Sequence, residues 1–293
     1  MFTKLIGGLS PELPVLIAGP TASGKSGLAL QIAAAQGGVI VNADALQVFG
    51  NWRVLTARPS PEEEAQAPHR LYGHVAGDKE YSVGHWLRDL APHLSGGPRP
   101  IIVGGTGLNF SALTEGLAEI PPTPAEIRAE ADALRTKQGT APMLAELDAD
   151  TLSRIDQLNP MRVQRAWEVQ RATGRGIAAW QNETPAPLLP LSGAQPILLS
   201  ADRDWLNARI DRRFDIMVAG GALEEARQNL ADWDPAWPSA KAIGAAGLIA
   251  HLRGNRDLKD AVAEGKRFTR QYAKRQRTWF RSRMGEWRAI LLD

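Results

Sequence analysis

GPTASGKS, residues Gly19–Ser26, is the stretch on which the reading of this chain turns. Its G-x-x-x-x-G-K-[ST] spacing leaves successive backbone N–H groups free to surround phosphate oxygens at the positive N-terminus of the helix that follows. The apolar residues Val15–Ala18 in front of it read as a buried strand. The Ala- and Leu-rich residues Lys25–Gln36 behind it read as a helix stopped by Gly37 and Gly38. Gly19, Pro20, Thr21, Ala22, Ser23 and Gly24 then form a phosphate cradle, Lys25 meets the outer phosphate, and Ser26 is placed to ligate Mg²⁺. Such a loop serves any phosphate, whether of a nucleoside triphosphate or of something else.

Outward from the loop, apolar and β-branched runs bounded by turn residues recur at Val39–Val41, Ile101–Val103 and Ile197–Leu199, as buried parallel strands do. Strand, phosphate loop, helix, strand is the opening of an α/β, P-loop NTPase-like core with a parallel sheet. From about Ala118 to Pro190 the sequence turns polar, helical and proline-punctuated. That change predicts an inserted all-helical domain over 118–190, between core segments 1–117 and 191–293. Within it, TPAE at Thr123–Glu126 reads as a capping box opening a helix toward Gln138, and Asn159-Pro160 opens another that ends at Gly174. Helices are expected again at Trp205–Met217 and Ala222–Leu230.

Open α/β sheets bind ligands beyond the C-terminal ends of their strands. The second strand runs into Asp44 and the third into GGTG, Gly104–Gly107, so Lys25, Asp44 and Thr106 are expected on one rim. A carboxylate there can ligate Mg²⁺, accept a proton, or merely cap the next turn. No strand ends in a convincing Walker-B carboxylate: Asp202 precedes Arg203 and reads as a turn residue, which weighs against a motor or switch NTPase.

Composition narrows the rest. With 293 residues, 44% hydrophobic and 23% charged, the chain can bury one large core or two smaller ones. The absence of cysteine excludes disulfides, thiolate zinc sites and cysteine nucleophiles, and the five histidines lack zinc-ligand spacing. Residues 1–13 hold no long apolar run, so neither a secretory signal nor a membrane span is read, and a soluble cytoplasmic protein is expected. Net charge is only +2, yet Lys266–Arg283, KRFTRQYAKRQRTWFRSR, contains no acidic residue. At helical spacing Phe268, Tyr272, Trp279 and Phe280 can pack inward while Arg270, Lys274, Arg277 and Arg281 line another face. Two readings stay open: a footprint for a polyanion, or a solvated basic helix with an aromatic stripe.

The combination of GPTASGKS, DALQVF at Asp44–Phe49 leading to TARP at Thr56–Pro59, and IIVGGTGL at Ile101–Leu108 resembles the tRNA dimethylallyltransferases. PHRL at Pro68–Leu71, YSV at Tyr81–Val83, NPMRVQRAWE at Asn159–Glu168 and QYAKRQRTWFR at Gln271–Arg281 extend the resemblance, in order, over nearly the whole chain. It implies that the phosphate loop holds the pyrophosphate of dimethylallyl diphosphate, which accounts for the missing Walker B. The implied acceptor is the exocyclic amine of the adenosine 3′ of the anticodon, taken out of its stack. Asp44 would accept a hydrogen bond or proton from that amine, and Thr106 would sit beside it. Lys25, Ser26 with Mg²⁺, and the loop N–H groups would stabilise the departing pyrophosphate. Lys241, in PSAKAIG where the family usually has arginine, would join them as a catalytic residue.

By the same resemblance, Ala45, Leu46 and Gln47 lie near the target base. Arg128 and the run Met161, Arg162, Val163, Gln164 and Arg165 contact the anticodon stem-loop, and Lys274, Arg275 and Arg281 extend the positive path. The chain departs from the family pattern at Ala45, Phe49, Leu55, Ala245 and Ala246. A monomer is expected, with no membrane partner. An adenylate isopentenyltransferase, which prenylates a free nucleotide, would not need the insert or the basic helix. A P-loop nucleotide kinase clamping ATP with arginines such as Arg209 and Arg212, and a nucleic-acid-binding protein with an eroded site, are the alternatives from other classes.

Overall fold

Val15–Ala18 (β1) is buried on both faces, so it carries apolar residues without alternation. The computed structural model describes residues 2–292. The other strands are Val39–Asn42 (β2), His69–Arg70 (β3), Pro100–Gly104 (β4), Gln195–Ala201 (β5) and Arg288–Leu292 (β6). They form one parallel sheet of order β3-β2-β4-β1-β5-β6. The P-loop NTPase-like α/β class is therefore as expected. The two outermost strands were not: β3 is only two residues long, and β6 lies on the far edge, where it pairs Ile197 with Arg288 through Ala201 with Leu292.

Alternate β1 residues point into different layers. Val15 and Ile17 pack with Leu28, Ala29 and Ile32 of the helix Lys25–Gln36. Leu16 and Ala18 pack with Trp86, Phe110, Phe280 and Trp287. Burying such side chains is worth about 1.5–3 kcal/mol each, and this two-sided cover holds the central strands in register. Ala18 pairs with Gly104 and Val103 with Asn42, so β1, β4 and β2 end level with one another. The loops that leave these three ends carry the phosphate-binding run, Thr106 and Asp44.

Two compact units divide the chain: Met1–Thr114 with Leu188–Asp293, and Glu115–Pro187, against the 118–190 read from composition. The second is all helical. Its helices Ala125–Gln138 and Pro160–Thr173 enclose a core of Ala131, Met143, Leu147, Val163, Ala166 and Trp167. Asn159 caps the latter helix by accepting from the N–H groups of Met161 and Arg162, and Gly174, with φ 69°, ends it, as its sequence indicates. The capping box at Thr123–Glu126 does not form. Pro124 occupies the N-cap without a side-chain bond, and the Thr123 hydroxyl instead accepts from Arg165 Nη1 at 2.6 Å.

In the first unit Asp202 is the N-cap of helix Arg203–Met217, accepting from the N–H groups of Asp204 and Trp205. The basic helix is longer than its basic run, Leu258–Arg283, because the mixed-charge residues before Lys266 continue the same periodicity. On it Phe280 is buried as expected, but Phe268 is exposed beneath Arg267, 4.3 Å from its ring centroid, and Arg270 is paired with Asp211. Among the described residues no helix is long and apolar enough to cross a membrane.

Candidate active site

The phosphate loop reverses direction through two left-handed residues, Ala22 at φ 64° and Gly24 at φ 86°. Gly24 occupies the N-cap of helix Lys25–Gln36, and no side chain caps that helix. Its first N–H groups therefore face outward with the helix dipole behind them, the arrangement that binds anions. Gly19 permits the tight entry, since a Cβ there would lie 2.8 Å from Ser23 Oγ, which is itself buried with no hydrogen-bond partner among the described residues.

Asp44 lies two residues beyond the end of β2. Its N–H donates to Asn42 Oδ1 at 2.8 Å, and its Oδ1 accepts the N–H of Leu46 at 3.0 Å. Asn42 is wholly buried and its Nδ2 donates to the carbonyls of Asp44 and Leu71, so the carboxylate stands on a rigid base. Thr106 is joined to the same loop: its Oγ1 accepts from the Ala45 N–H at 3.0 Å and its own N–H donates to Ala43 O at 3.3 Å. Gly104 allows this approach, because a Cβ on it would collide with the Ala43 backbone.

Lys25, Ser26, Thr21, Asp44, Leu46 and Gln47 line one open pocket together with Arg213 and Tyr272. A second, wider cleft shares Lys25, Ser26 and Arg213 and adds Arg58, Arg209 and Arg212 around the phosphate loop. Arg209 lies over Trp205 and donates from Nε to Ala22 O at 3.0 Å, which steadies the loop's left-handed residue. Burial pulls the Lys25 ammonium down to about 8; Asp44 opposes that shift and Arg213 adds to it. Burial likewise lowers Arg213, with Asp44 again opposing. Burial and the Asp44 charge push Tyr272 well above the usual phenol range.

Of the residues named from sequence, Lys25, Ser26, Thr21, Asp44, Leu46 and Gln47 meet in the pocket, with Thr106 bonded to the Asp44 loop. Gln47 also ties down the TARP segment by donating to Thr56 O and Ala57 O, both at 2.9 Å. Lys241 is not brought there. It is exposed at the end of the short 3₁₀ turn Pro238–Lys241 and lines neither cleft, while Ile243 two residues on does line the pocket. Arg213 supplies the second pocket cation instead. Its signal was an arginine set within the apolar stripe Ile210, Phe214, Met217.

In the helical unit Arg128, Met161 and Arg162 are exposed, and Arg165 is half-buried beside them. Val163 and Gln164 are not available to a macromolecule. Val163 is core, and Gln164 is 3% exposed, bonded to Asp132, Glu168 and Arg135. On the C-terminal helix Lys274, Arg275 and Arg281 are exposed.

Part of the pocket lining depends on a carboxylate that does not itself line the pocket. Glu225 accepts the N–H groups of Arg53, Val54 and Leu55, the last two at 2.9 Å, and so holds the segment that presents Leu55, Thr56 and Ala57. Glu225→Ala strands three donors and is expected to cost about 2–3 kcal/mol. Urea unfolding checks this; an unchanged midpoint would mean that water replaces the carboxylate without loss.

The family model "IPP transferase" matches residues 47–283, and "Isopentenyl transferase" matches residues 14–76. The chain belongs to the IPP transferase family. It is 65% identical over 281 residues to the tRNA dimethylallyltransferase of Roseobacter denitrificans, spanning 96% of this chain and 99% of that protein. It is 64% identical over 285 residues to that of Dinoroseobacter shibae, spanning 96% of each. Among solved structures it is similar to the tRNA isopentenylpyrophosphate transferase of Bacillus halodurans, with TM-score 0.67 and 30% identity over 96% of this chain and 91% of that one. A eukaryotic dimethylallyltransferase acting on tRNA shares the fold, with TM-score 0.80 at 24% identity over 96% and 74% of the two chains.

Proposed function

We propose that this family member transfers the dimethylallyl group of dimethylallyl diphosphate to the exocyclic amine of the adenosine 3′ of the anticodon in tRNA. The observation that carries the reading is the joint lining of one pocket by Asp44 and by the cationic phosphate loop. The amine nitrogen forms a bond to the primary allylic carbon, the carbon–oxygen bond breaks, and pyrophosphate leaves with the electron pair. Asp44 accepts the amine proton. Lys25, Arg213 and the uncapped loop amides meet the charge that builds on the leaving oxygen. An allylic carbon tolerates partial positive charge, so orientation and leaving-group stabilisation are the main demands on the protein.

Mg²⁺ belongs to the same reading. Among the described residues no three His, Cys, Asp or Glu side chains are grouped to hold a metal. A serine hydroxyl with ligand oxygens and water suits an ion that keeps much of its hydration shell. Ser26 would hold it, and the ion would neutralise charge on the diphosphate. The exposed Arg128, Met161 and Arg162, and Lys274, Arg275 and Arg281 on the C-terminal helix, would meet the anticodon stem-loop. A cytoplasmic monomer completes the proposal.

The deciding experiment incubates labelled dimethylallyl diphosphate and Mg²⁺ with unmodified tRNA, with AMP, or with no acceptor. Label is expected in tRNA alone. Label in AMP would make the chain an adenylate enzyme, and no transfer would remove the prenyltransferase reading. The Lys25 ammonium adds a pH dependence. In the free protein it loses its proton near 8, and a bound diphosphate raises that value, so binding takes up a proton between the two. Once the ionisations of pyrophosphate itself are accounted for, its affinity is therefore expected to be flat below about 8 and to fall up to tenfold per pH unit above it. Calorimetry in buffers of different ionisation enthalpy reads the net proton change, and the Lys25 uptake is its difference from that of Lys25→Met; no difference at pH 8.5 would contradict it.

A further inference from the structure

Gln276 is 5% exposed on the helix Leu258–Arg283, and both ends of its amide are committed to backbone at the ends of two different strands. Oε1 accepts the N–H of Thr21, within the phosphate loop, at 2.9 Å. Nε2 donates to the carbonyl of Gly105, the residue before Thr106, at 2.9 Å. Reversing the amide would set donor against donor and acceptor against acceptor, so its orientation is fixed. Gly105 must be glycine for this contact, since a Cβ there would collide with Nε2. One turn earlier Tyr272 lines the same pocket as Asp44 and the phosphate loop. Three residues later Trp279 lies against Gly107, where a Cβ would run into the indole ring. The face Tyr272, Gln276, Trp279 of the basic helix therefore runs along the rim of the site and serves the chemistry as well as the core.

We propose that Gln276 is a positioning residue for group transfer. Its amide sets the separation between the phosphate loop, which holds the leaving group, and the Asp44–Thr106 rim, which holds the attacking amine. The inference rests on the prenyl-transfer reading above. In a displacement the entering and leaving atoms must lie on one line at near-contact distance, and a 1 Å misplacement costs about a hundredfold in rate. The phosphate loop keeps its remaining amides and Lys25 without Gln276, so ligand affinity is retained while turnover falls.

The test compares wild type with full-length Gln276→Met and Gln276→Glu. Methionine keeps the volume and loses both bonds. Its kcat is expected to fall about 10–100-fold, while the dissociation constants for pyrophosphate and tRNA stay within about threefold. Glutamate keeps the acceptor for Thr21 but faces the Gly105 carbonyl with a second oxygen. When protonated it again donates there, so the kcat of Gln276→Glu relative to wild type is expected to rise as pH falls. A folded Gln276→Met with wild-type kcat would overturn the proposal. So would a pyrophosphate affinity that falls as far as kcat, or a Gln276→Glu deficit that is flat with pH. If wild type itself fails to prenylate tRNA, the functional reading falls and the positioning role with it; if wild type transfers and Gln276→Met equals it, only the role of Gln276 falls.

Discussion

Asp44→Asn is expected to lower kcat for prenyl transfer by about 10²–10⁴-fold, the range of a positioned general base. The substitution is nearly isosteric. The amide oxygen can still accept the Leu46 N–H that fixes the side chain, and Asn42 still holds the loop from beneath. What disappears is the capacity to take a proton from the attacking amine and the negative charge that acts on Lys25 and Arg213. The affinity for tRNA should change by no more than a few-fold, because the exposed arginines that would bind it lie elsewhere in the sequence. A second consequence separates this role from simple damage. Asp44 holds the Lys25 ammonium up against burial, so without its charge the pH above which pyrophosphate affinity declines should move below about 8. Wild-type turnover in Asp44→Asn would remove Asp44 from the chemistry, and an unmoved pH threshold would show that the two groups are not coupled.

The parts of this site that are legible in the sequence are those fixed by local backbone rules. A phosphate loop needs its glycines, its lysine and its flanking strand and helix within a short contiguous run, so β1 and the helix Lys25–Gln36 lie where the sequence places them. Asp44 and Thr106 are legible for a related reason: parallel strands end at one edge, and residues just beyond three apolar runs must gather there. Arg213 and Gln276 come from helices more than 180 residues from the phosphate loop in sequence, and only tertiary packing brings them in. Both interrupt an apolar or aromatic helical stripe, which is the trace that such residues leave.

Helical periodicity separates the surface and core positions of the helix Pro160–Thr173. Val163, Ala166 and Trp167 share one face, and Gln164 reaches Glu168 one turn on, so the run Met161–Arg165 alternates between surface and core. A motif match aligns Lys241 with a family position without fixing where a short 3₁₀ turn aims its side chain, which here is exposed. β6 escaped because an edge strand buried on only part of its length, with Leu291 65% exposed, carries little pattern.

Arg213→Met tests the other cation that lines the pocket with Lys25, where the expected loss is in leaving-group binding. The Arg213 guanidinium is half-buried, burial disfavours its charge, and it stands near Lys25 and Arg209. Among the described residues no acceptor is hydrogen-bonded to it, and Asp44 is the charge that opposes its loss of basicity. An arginine held beside a second cation in a partly dehydrated place costs stability, and a bound diphosphate supplies the missing countercharge. Methionine keeps much of the stem's apolar contact with the wall formed by Ile210, Phe214 and Met217 while deleting the charge. The unliganded variant should therefore melt at the same temperature as wild type or slightly higher. Pyrophosphate affinity should fall about 10–100-fold, the value of one or two charge-assisted hydrogen bonds. The stabilisation that pyrophosphate gives to wild type in a thermal shift measurement should shrink accordingly. Because the leaving group gains charge as the carbon–oxygen bond breaks, kcat should fall as well and not only the apparent affinity for the donor. An equal pyrophosphate-induced shift in the two proteins would show that Arg213 faces the pocket without binding the anion, and would leave Lys25 and the loop amides to carry the leaving group alone.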